Sequence, residues 1–513
     1  MLVKSYGAAV SGIDAILVTV EVTCSKGFGM TIVGLPDAAV KESFERMNSA
    51  FNELGYDSPS EAIVVNMAPA DLRKEGAAFD LPIAVSVLCS TEQVVTDSLP
   101  KYMIMGELSL DGSVKPIRGA LPMAIMAREH GFKGFILPRD NASEAAVVNH
   151  LDVYGVDSLS QVVEILQGTS TLSPTVVNTR EEFARSVNTF DFDFRDVKGQ
   201  EKAKRALEVA CAGGHNILLV GSPGSGKSML AKRLPSILPP LSLAEALETT
   251  KIHSVAGKLH HGSRLMSQRP FRAPHHTISP VALCGGGTNP MPGEISLAHN
   301  GILYLDEFPE FGRQVLEVMR QPLEDRIITV SRAKYTIDYP ASFMLVASMN
   351  PCPCGYYMHP TRECTCAPGE VQRYLNRISG PLMDRIDLHV DVQPISFDEM
   401  ASEATGEDSA TIRSRVIRAR QIQQERFKGE RNVHCNAQMT SRLIAQYVKL
   451  DAQSIDKLRT AITRFKMSSR AYDRILRVAR TIADLEGSAD VLSSHISEAI
   501  SYRTLDRDGW SAK

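Results

Sequence analysis

Gly221-Ser222-Pro223-Gly224-Ser225-Gly226-Lys227-Ser228 fits G-x-x-x-x-G-K-[ST] without a gap, and its flanks decide its meaning. Residues 216–220, NILLV, form an apolar run that reads as a strand leading in. KSMLAKRL, 227–234, begins a helix leading out. Glycines let successive backbone N–H groups converge on phosphate oxygens without side-chain interference. The following helix N-terminus adds partial positive charge. Lys227 is placed to reach the β- and γ-phosphates of ATP, and Ser228 to ligate Mg²⁺. A chance glycine-rich turn would not bring strand, loop and helix into one register.

A phosphate loop needs a second acidic site. Gly301-Ile302-Leu303-Tyr304-Leu305-Asp306-Glu307 supplies it: four apolar residues predict a buried strand, with two carboxylates at its C-terminal end, where α/β sheets bind ligands. Asp306 is assigned to Mg²⁺ through water, and Glu307 to the attacking water. An ordinary strand end with a solvated acidic pair is the alternative for these two residues alone. Phe343–Asn350 is another apolar strand, ending in an amide.

Length and charge bound the rest. At 513 residues the chain has room for about three domains. No run of about 18 apolar residues appears, so no membrane span is expected. The N-terminus lacks the basic start and compact apolar run of a signal peptide, which predicts a cytoplasmic protein. The net charge of −3 excludes a whole-protein basic field, so any grip on nucleic acid must come from local loops.

Further stretches carry a family resemblance: DVKGQEKAKRALE (196–208), FRAPHHTIS (271–279), PGEISLAHN (292–300) and ISGPLMDRID (378–387). With the two phosphate motifs they resemble the magnesium-chelatase-like branch of AAA+ ATPases, and over nearly its full length the chain resembles the YifB/ComM family. The resemblance implies a hexameric helicase acting on single-stranded and branched DNA by branch migration. It also implies integration of incoming single strands in natural transformation and homologous recombination, with recombination proteins as partners. A chelatase-type ATPase that remodels a protein partner for metal insertion is the rival, as is a non-enzymatic adaptor.

The class then assigns roles by position. Asn350 falls where the first sensor orients water, although an asparagine simply opening the NPCP turn is the alternative. Arg385, just before a strand, falls at the arginine finger that enters a neighbouring subunit's nucleotide; a surface arginine paired with Asp384 or Asp387 is the bland reading. Arg470 is the candidate second sensor, with Arg474 one turn on as its substitute.

The predicted fold is α/β multidomain. Residues 1–168 form an N-terminal α+β block, 169–190 a linker, 191–393 the ATPase core with a Cys-rich loop at 352–366, and 394–513 a helical lid. In the first block, EAIVVNMAPADLRKEGAAFDLPIA (61–84) and GELSLDGSVKPIRG (106–119) resemble the Lon protease domain. Lon chemistry needs a serine nucleophile and a lysine base. Their positions fall on Ala78 (or Ala77) and Pro122, so no peptidase activity is expected. Chelatase motor subunits are expected to lack this block.

Lys227 and Asp306 stand 79 positions apart, more than a minimal crossover needs. The surplus, roughly 253–300, resembles the helix-2 insert of this branch and carries Lys258, Arg264, Arg269, Arg272, His275 and His276. Residues 327–339 alternate like a hairpin, carry Arg332 and Lys334, and resemble the insert before the first sensor. Both are assigned to DNA phosphates; solvated loops or subunit contacts are the alternative. The arginines at 413, 415, 418, 420 and 426 read as a solvated or intersubunit helix face, with DNA contact the alternative. Of nine cysteines, Cys352, Cys354, Cys364 and Cys366 cluster. Four thiolates satisfy tetrahedral zinc, with His359 a substitute ligand and reduced, unliganded thiols the alternative.

Overall fold

A computed structural model describes residues 1–178, 183, 190–259, 264–287, 290–332, 335–395, 406–465, 467–503 and 505. Its contacts divide the chain into two compact units, Met1–Arg185 with Leu243–Ser267, and Ser186–Ser242 with Gln268–Lys513.

The first unit is built on a seven-stranded mixed sheet, in order β3-β4-β2-β1-β5-β8-β9. Its strands are β1 (Leu2–Ser11), β2 (Asp14–Ser25), β3 (Met30–Val33), β4 (Ala62–Ala68), β5 (Tyr102–Ile104), β8 (Gly134–Pro138) and β9 (Asp152–Val156), while β6 (Glu107–Leu108) and β7 (Val114–Lys115) pair as a small hairpin. The β-branched runs AILVTVEV (15–22), MTIVGL (30–35) and AIVVNMAP (62–69), which read as strands, fall on β2, β3 and β4, and AAVKESFERMNSAFNELGY (38–56) reads as an amphipathic helix among them. The long amphipathic stretch beside them is a short turn of helix, Ala38–Lys41, and a second helix, Ser43–Leu54, which ends on Gly55 at φ 78°. A left-handed φ there favours glycine, and the chain turns out of the helix.

Part of the expected linker holds to this unit. Thr175 N donates to the Val153 carbonyl at 2.7 Å, and Leu172 and Val177 pack on the core. Residues 243–267 also belong here. The sequence reading kept them in the ATPase core, but the helix Leu243–Val255 is tied to first-unit residues. Lys251 pairs with Asp14 at 2.7 Å, and the Ser254 hydroxyl donates to the buried Glu144 carboxylate.

The second unit carries the phosphate motifs on a parallel five-stranded sheet, β11-β14-β17-β10-β18. These strands are β10 (Ile217–Val220), β11 (Phe271–Arg272), β14 (Ile302–Leu305), β17 (Met344–Met349) and β18 (Leu388–Asp391). Every residue of β10, β14 and β17 is buried, the continuous apolar signature of parallel strands covered on both faces. Two antiparallel pairs accompany the sheet: β12 (Gly285–Gly286) with β13 (Met291–Pro292), and β15 (Ile327–Arg332) with β16 (Tyr335–Pro340). The second pair is the hairpin that the alternation at 327–339 predicts.

After β18 the described chain is helical: Ser409–Arg426, Ser441–Tyr447, Ala452–Phe465, Ser469–Leu485 and Ser493–Ser501. Polar caps start three of them. Asp408, Thr440 and Ser468 each accept a backbone N–H three residues on, which satisfies donors that the helix itself leaves free.

Candidate nucleotide site

The site lies where β10, β14 and β17 end. Because the three strands are parallel and adjacent, their C-terminal residues deliver Gly221, Asp306 and Asn350 to one edge of the sheet. Gly221 permits a close approach: a Cβ there would meet the Val392 carbonyl oxygen at 2.4 Å and Ser225 Oγ at 2.7 Å. Lys227 is buried at the start of the helix Lys227–Arg233, and its ammonium donates to the carbonyls of Gly221 (2.7 Å) and Ser222 (2.9 Å) and to Asn350 Oδ1 (3.3 Å). Burial lowers its pKa, with Asp306 opposing. Ser225 Oγ is buried with no hydrogen-bond partner among the described residues.

Ser228 Oγ donates to Asp306 Oδ2 at 2.8 Å. Ser348 Oγ donates to the other carboxylate oxygen, and Tyr304 stands 3.0 Å behind Ser348. Burial pushes the Asp306 carboxyl upward, but these hydroxyls outweigh it and hold the group below its ordinary value, so it is an anion at neutral pH. Glu307 is different. It sits in left-handed backbone at φ 53°, is mostly exposed, and pairs with His276 at 3.1 Å. A non-glycine residue held there marks a position under constraint.

A buried lysine, an orphaned loop hydroxyl, a glycine cradle and a Ser–Asp pair fit a magnesium-bound polyphosphate. Ser228 and Asp306 would hold the ion, whose charge would neutralise phosphate oxygens. The P-loop amides and Lys227 would orient the phosphates. Asn350, within reach of Lys227, would position water, and Glu307 would accept its proton after leaving His276.

The arginines are elsewhere. β10 and β18 run in parallel register, Ile217 opposite Leu388 and Val220 opposite Asp391. The phosphate loop leaves one end of this pair, and Arg385 precedes the other, where its carbonyl accepts from Asn216 Nδ2 at 2.9 Å. At ~3.3 Å per residue the two ends are roughly 15 Å apart, beyond the reach of an arginine side chain. Arg385 instead pairs with Glu324 and donates to the Pro381 carbonyl at 2.7 Å. Arg470 lies at the same end, 3.7 Å from Asp384 and largely exposed. Its substitute Arg474 is held inside, 2.7 Å from Asp387.

Asp387 also accepts from Asn216 N at 3.1 Å and contacts His215 Nδ1 at 3.4 Å. Burial opposes its ionisation, but Arg474 and His215 hold it well below the usual carboxylate range. A depressed carboxylate stabilises the fold above its unfolded pKa, and that contribution is lost only as pH falls toward the folded value. Asp387→Asn should cost about 3–5 kcal/mol by stranding Arg474. Denaturant titration at neutral pH measures it, and the difference from wild type should shrink at low pH.

Three family models cover most of the chain. Residues 193–400 match "Magnesium chelatase, subunit ChlI", 406–503 match its C-terminal model, and 20–141 match "Subunit ChlI of Mg-chelatase". The YifB protein of Salmonella typhimurium is 43% identical over 503 residues, covering 97% of this chain and 96% of its own. The competence protein ComM of Haemophilus influenzae is 42% identical over 505 residues, covering 98% and 97%. The chain belongs to the YifB/ComM family. The magnesium-chelatase 38 kDa subunit of Cereibacter sphaeroides is more distant, 27% identical over 31% of this chain and 53% of its own.

The remaining candidates of this YifB/ComM chain scatter. Arg264 is half-buried in the first unit. Arg269 donates to the carbonyls of Pro239, Pro240 and Asn300, and Arg272 forks onto Glu294 at 2.6 and 2.7 Å. His275 is exposed and stacked on His276 at 4.1 Å. Lys334 and the Arg332 side chain lie outside the described residues. The arginine helix is not the solvated face expected from its charge. Arg415 pairs with Glu208 and Glu407, Arg420 donates to the Cys211 and Ala212 carbonyls, and Arg426 forks onto buried Asp484; only Arg418 points out. These guanidiniums satisfy groups inside the second unit.

Sequence reasoning missed Tyr304 and Ser348, and it assigned His276 to DNA rather than to a pairing with Glu307. Ser348 carried a signal: it stands two residues before Asn350 in the stretch that reads as one strand from sequence, and side chains that share a strand face recur at that spacing.

Proposed function

We propose that the chain is an ATP-hydrolysing, ring-forming DNA motor, a cytoplasmic helicase or branch-migration enzyme of the AAA+ type. What carries this reading is the split between its phosphate loop and its arginines. Lys227, Ser228, Asp306, Glu307 and Asn350 gather at one end of the sheet, Arg385 and Arg470 at the other. A chain built this way completes its nucleotide site with a second copy, and six copies closing a ring is the family expectation. The two arginines act in trans, Arg385 as the finger and Arg470 as the second sensor.

The DNA part rests on the relative named as a competence protein, 42% identical over nearly both chains. It leads to single-stranded and branched DNA as substrates, integration of incoming strands in transformation and recombination, and recombination proteins as partners. Within the chain, Arg332 and Lys334 of the segment 327–339, and the exposed His275, are the DNA contacts this reading keeps first. Arg264, Arg269, Arg272 and His276 would touch DNA only in addition to the contacts they make within the fold. The first unit is a Lon-like scaffold without peptidase chemistry, since Ala78 and Pro122 stand at the nucleophile and base positions. ATP and Mg²⁺ serve the phosphate site. A structural zinc sits on Cys352, Cys354, Cys364 and Cys366.

The chelatase-type reading remains the rival. The first unit no longer argues against it, because residues 20–141 match a model described as a chelatase subunit. Coverage does: the match to the magnesium-chelatase 38 kDa subunit of Cereibacter sphaeroides spans only 31% of this chain. Strand displacement on forked and three-stranded DNA decides. We expect ATP-dependent displacement that disappears in Lys227→Ala. An active ATPase that displaces no strand and is unaffected by DNA would sink the motor reading.

A further inference from the structure

The zinc reading leaves open what a metal clip would do in this place, and the surroundings of the four thiols answer it. Their sulfurs lie within 4.8 Å of one another. Cys352 and Cys354 are 3.3 Å apart, Cys354 and Cys364 3.5 Å, Cys352 and Cys364 3.8 Å. Tetrahedral zinc with bonds of ~2.3 Å separates its sulfurs by about 3.8 Å, whereas a disulfide needs ~2.05 Å. All four cysteines are free. The Tyr357 N–H donates to Cys352 Sγ at 3.3 Å, the kind of outer hydrogen bond that orients a thiolate ligand. Between Cys354 and Cys364 the described chain has no helix or strand; its turns are held locally, His359 Nδ1 accepting from Thr361 N and Arg362 N, and Arg362 donating to the Tyr356 hydroxyl at 2.7 Å.

This loop touches the nucleotide site three times. Cys352 follows Asn350 after a single proline, and Asn350 holds Lys227. Gly355, at φ +86°, rests on the phosphate loop so closely that a Cβ would stand 2.5 Å from Pro223 Cδ. Past Cys366, in the helix Glu370–Leu375, the buried Tyr374 hydroxyl lies against the Asn350 backbone amide. Pro351, Gly355 and Tyr357 face Val220, Gly221 and Ser222 across a cavity of 270 Å³.

We propose that zinc on Cys352, Cys354, Cys364 and Cys366 is the support of the nucleotide site, fixing the sensor Asn350 and the back of the phosphate loop at Pro223. The inference rests on the zinc reading above and goes beyond it: the metal sets ATP affinity and turnover as well as local order. Without the clip, the loop keeps its internal turns but its two thiol pairs are no longer tied to one another, so Asn350 and Pro223 lose the support that the metal gives. Misplacing a catalytic group by about 1 Å costs up to roughly 10²-fold.

The test uses the full chain purified without chelator. Zinc is measured by elemental analysis, ATP affinity with a fluorescent ATP analogue, and turnover by phosphate release, before and after metal removal and zinc re-addition. One zinc per chain is expected. Its removal should weaken affinity and turnover by about 10- to 100-fold, with recovery on adding zinc back. A Cys364→Ser, Cys366→Ser double variant should match the stripped protein. Gly355→Ala keeps all four thiols and presses on Pro223; it should retain zinc yet bind the analogue about tenfold more weakly. Absence of zinc overturns the zinc reading and the inference together. Zinc whose removal leaves affinity and turnover unchanged, or a Gly355→Ala chain that binds as wild type does, overturns the coupling alone.

Discussion

Lys227→Ala should lower ATP hydrolysis by about 10³-fold or more, and Glu307→Gln should do the same while leaving ATP bound. The two losses have different origins. The Lys227 ammonium is buried, and burial lowers its pKa, so the site disfavours the bare cation. Triphosphate oxygens would reverse that, and their attraction to the cation is strong where water is excluded. Removing the ammonium therefore weakens both the ground state and the charge that develops in transfer. Glu307 lies outside the buried cluster, on exposed left-handed backbone, with His276 as its partner. It contributes nothing to holding phosphate and acts only when water must lose a proton. Affinity for a nonhydrolysable analogue separates them: weakened in Lys227→Ala, retained in Glu307→Gln. A Glu307→Gln enzyme that turns over at the wild-type rate would remove that residue from the chemistry.

The phosphate site was legible because its chemistry is local. A strand, a glycine loop and a helix follow one another within residues 216–234, and two carboxylates end a four-residue apolar strand. The helical C-terminal region was legible for the same reason, since its caps and periodicity lie within single helices. What eluded sequence reading depends on distant partners. The arginines of the helix Ser409–Arg426 look like a solvated face, yet Arg420 and Arg415 reach Cys211 and Glu208, some 200 positions away. The insert predicted at 253–300 divides, its first part packing on first-unit residues such as Glu144, which no local pattern announces. Arg269 and Arg272 count as free basic charges until the carbonyls and the carboxylate they bind are seen. Charge in a sequence shows what a loop contains, and only packing shows what it has left to offer.

Arg385→Ala should leave ATP binding intact and lower hydrolysis by about 10³-fold or more, an effect confined to assembled protein. Parallel register puts Arg385 at the far end of the sheet from its own phosphate loop, so on the proposed motor reading its target is another copy's nucleotide. In the structure it is held by Glu324, whose carboxylate is mostly exposed. Breaking such a pair costs about 1 kcal/mol or less. An arginine at a transferring phosphate contributes roughly 4–7 kcal/mol, the equivalent of 10³- to 10⁵-fold. The cost of leaving Glu324 is therefore small beside what the arginine would return in the transition state once two copies meet. Mixing supplies the sharper measurement. Arg385→Ala chains keep a working phosphate loop, and Lys227→Ala chains keep a working finger. Each alone should be inactive, and the mixture should regain activity at interfaces where the intact halves face each other. An Arg385→Ala protein that hydrolyses ATP at the wild-type rate would show that each chain completes its own site, and the ring would lose its physical basis.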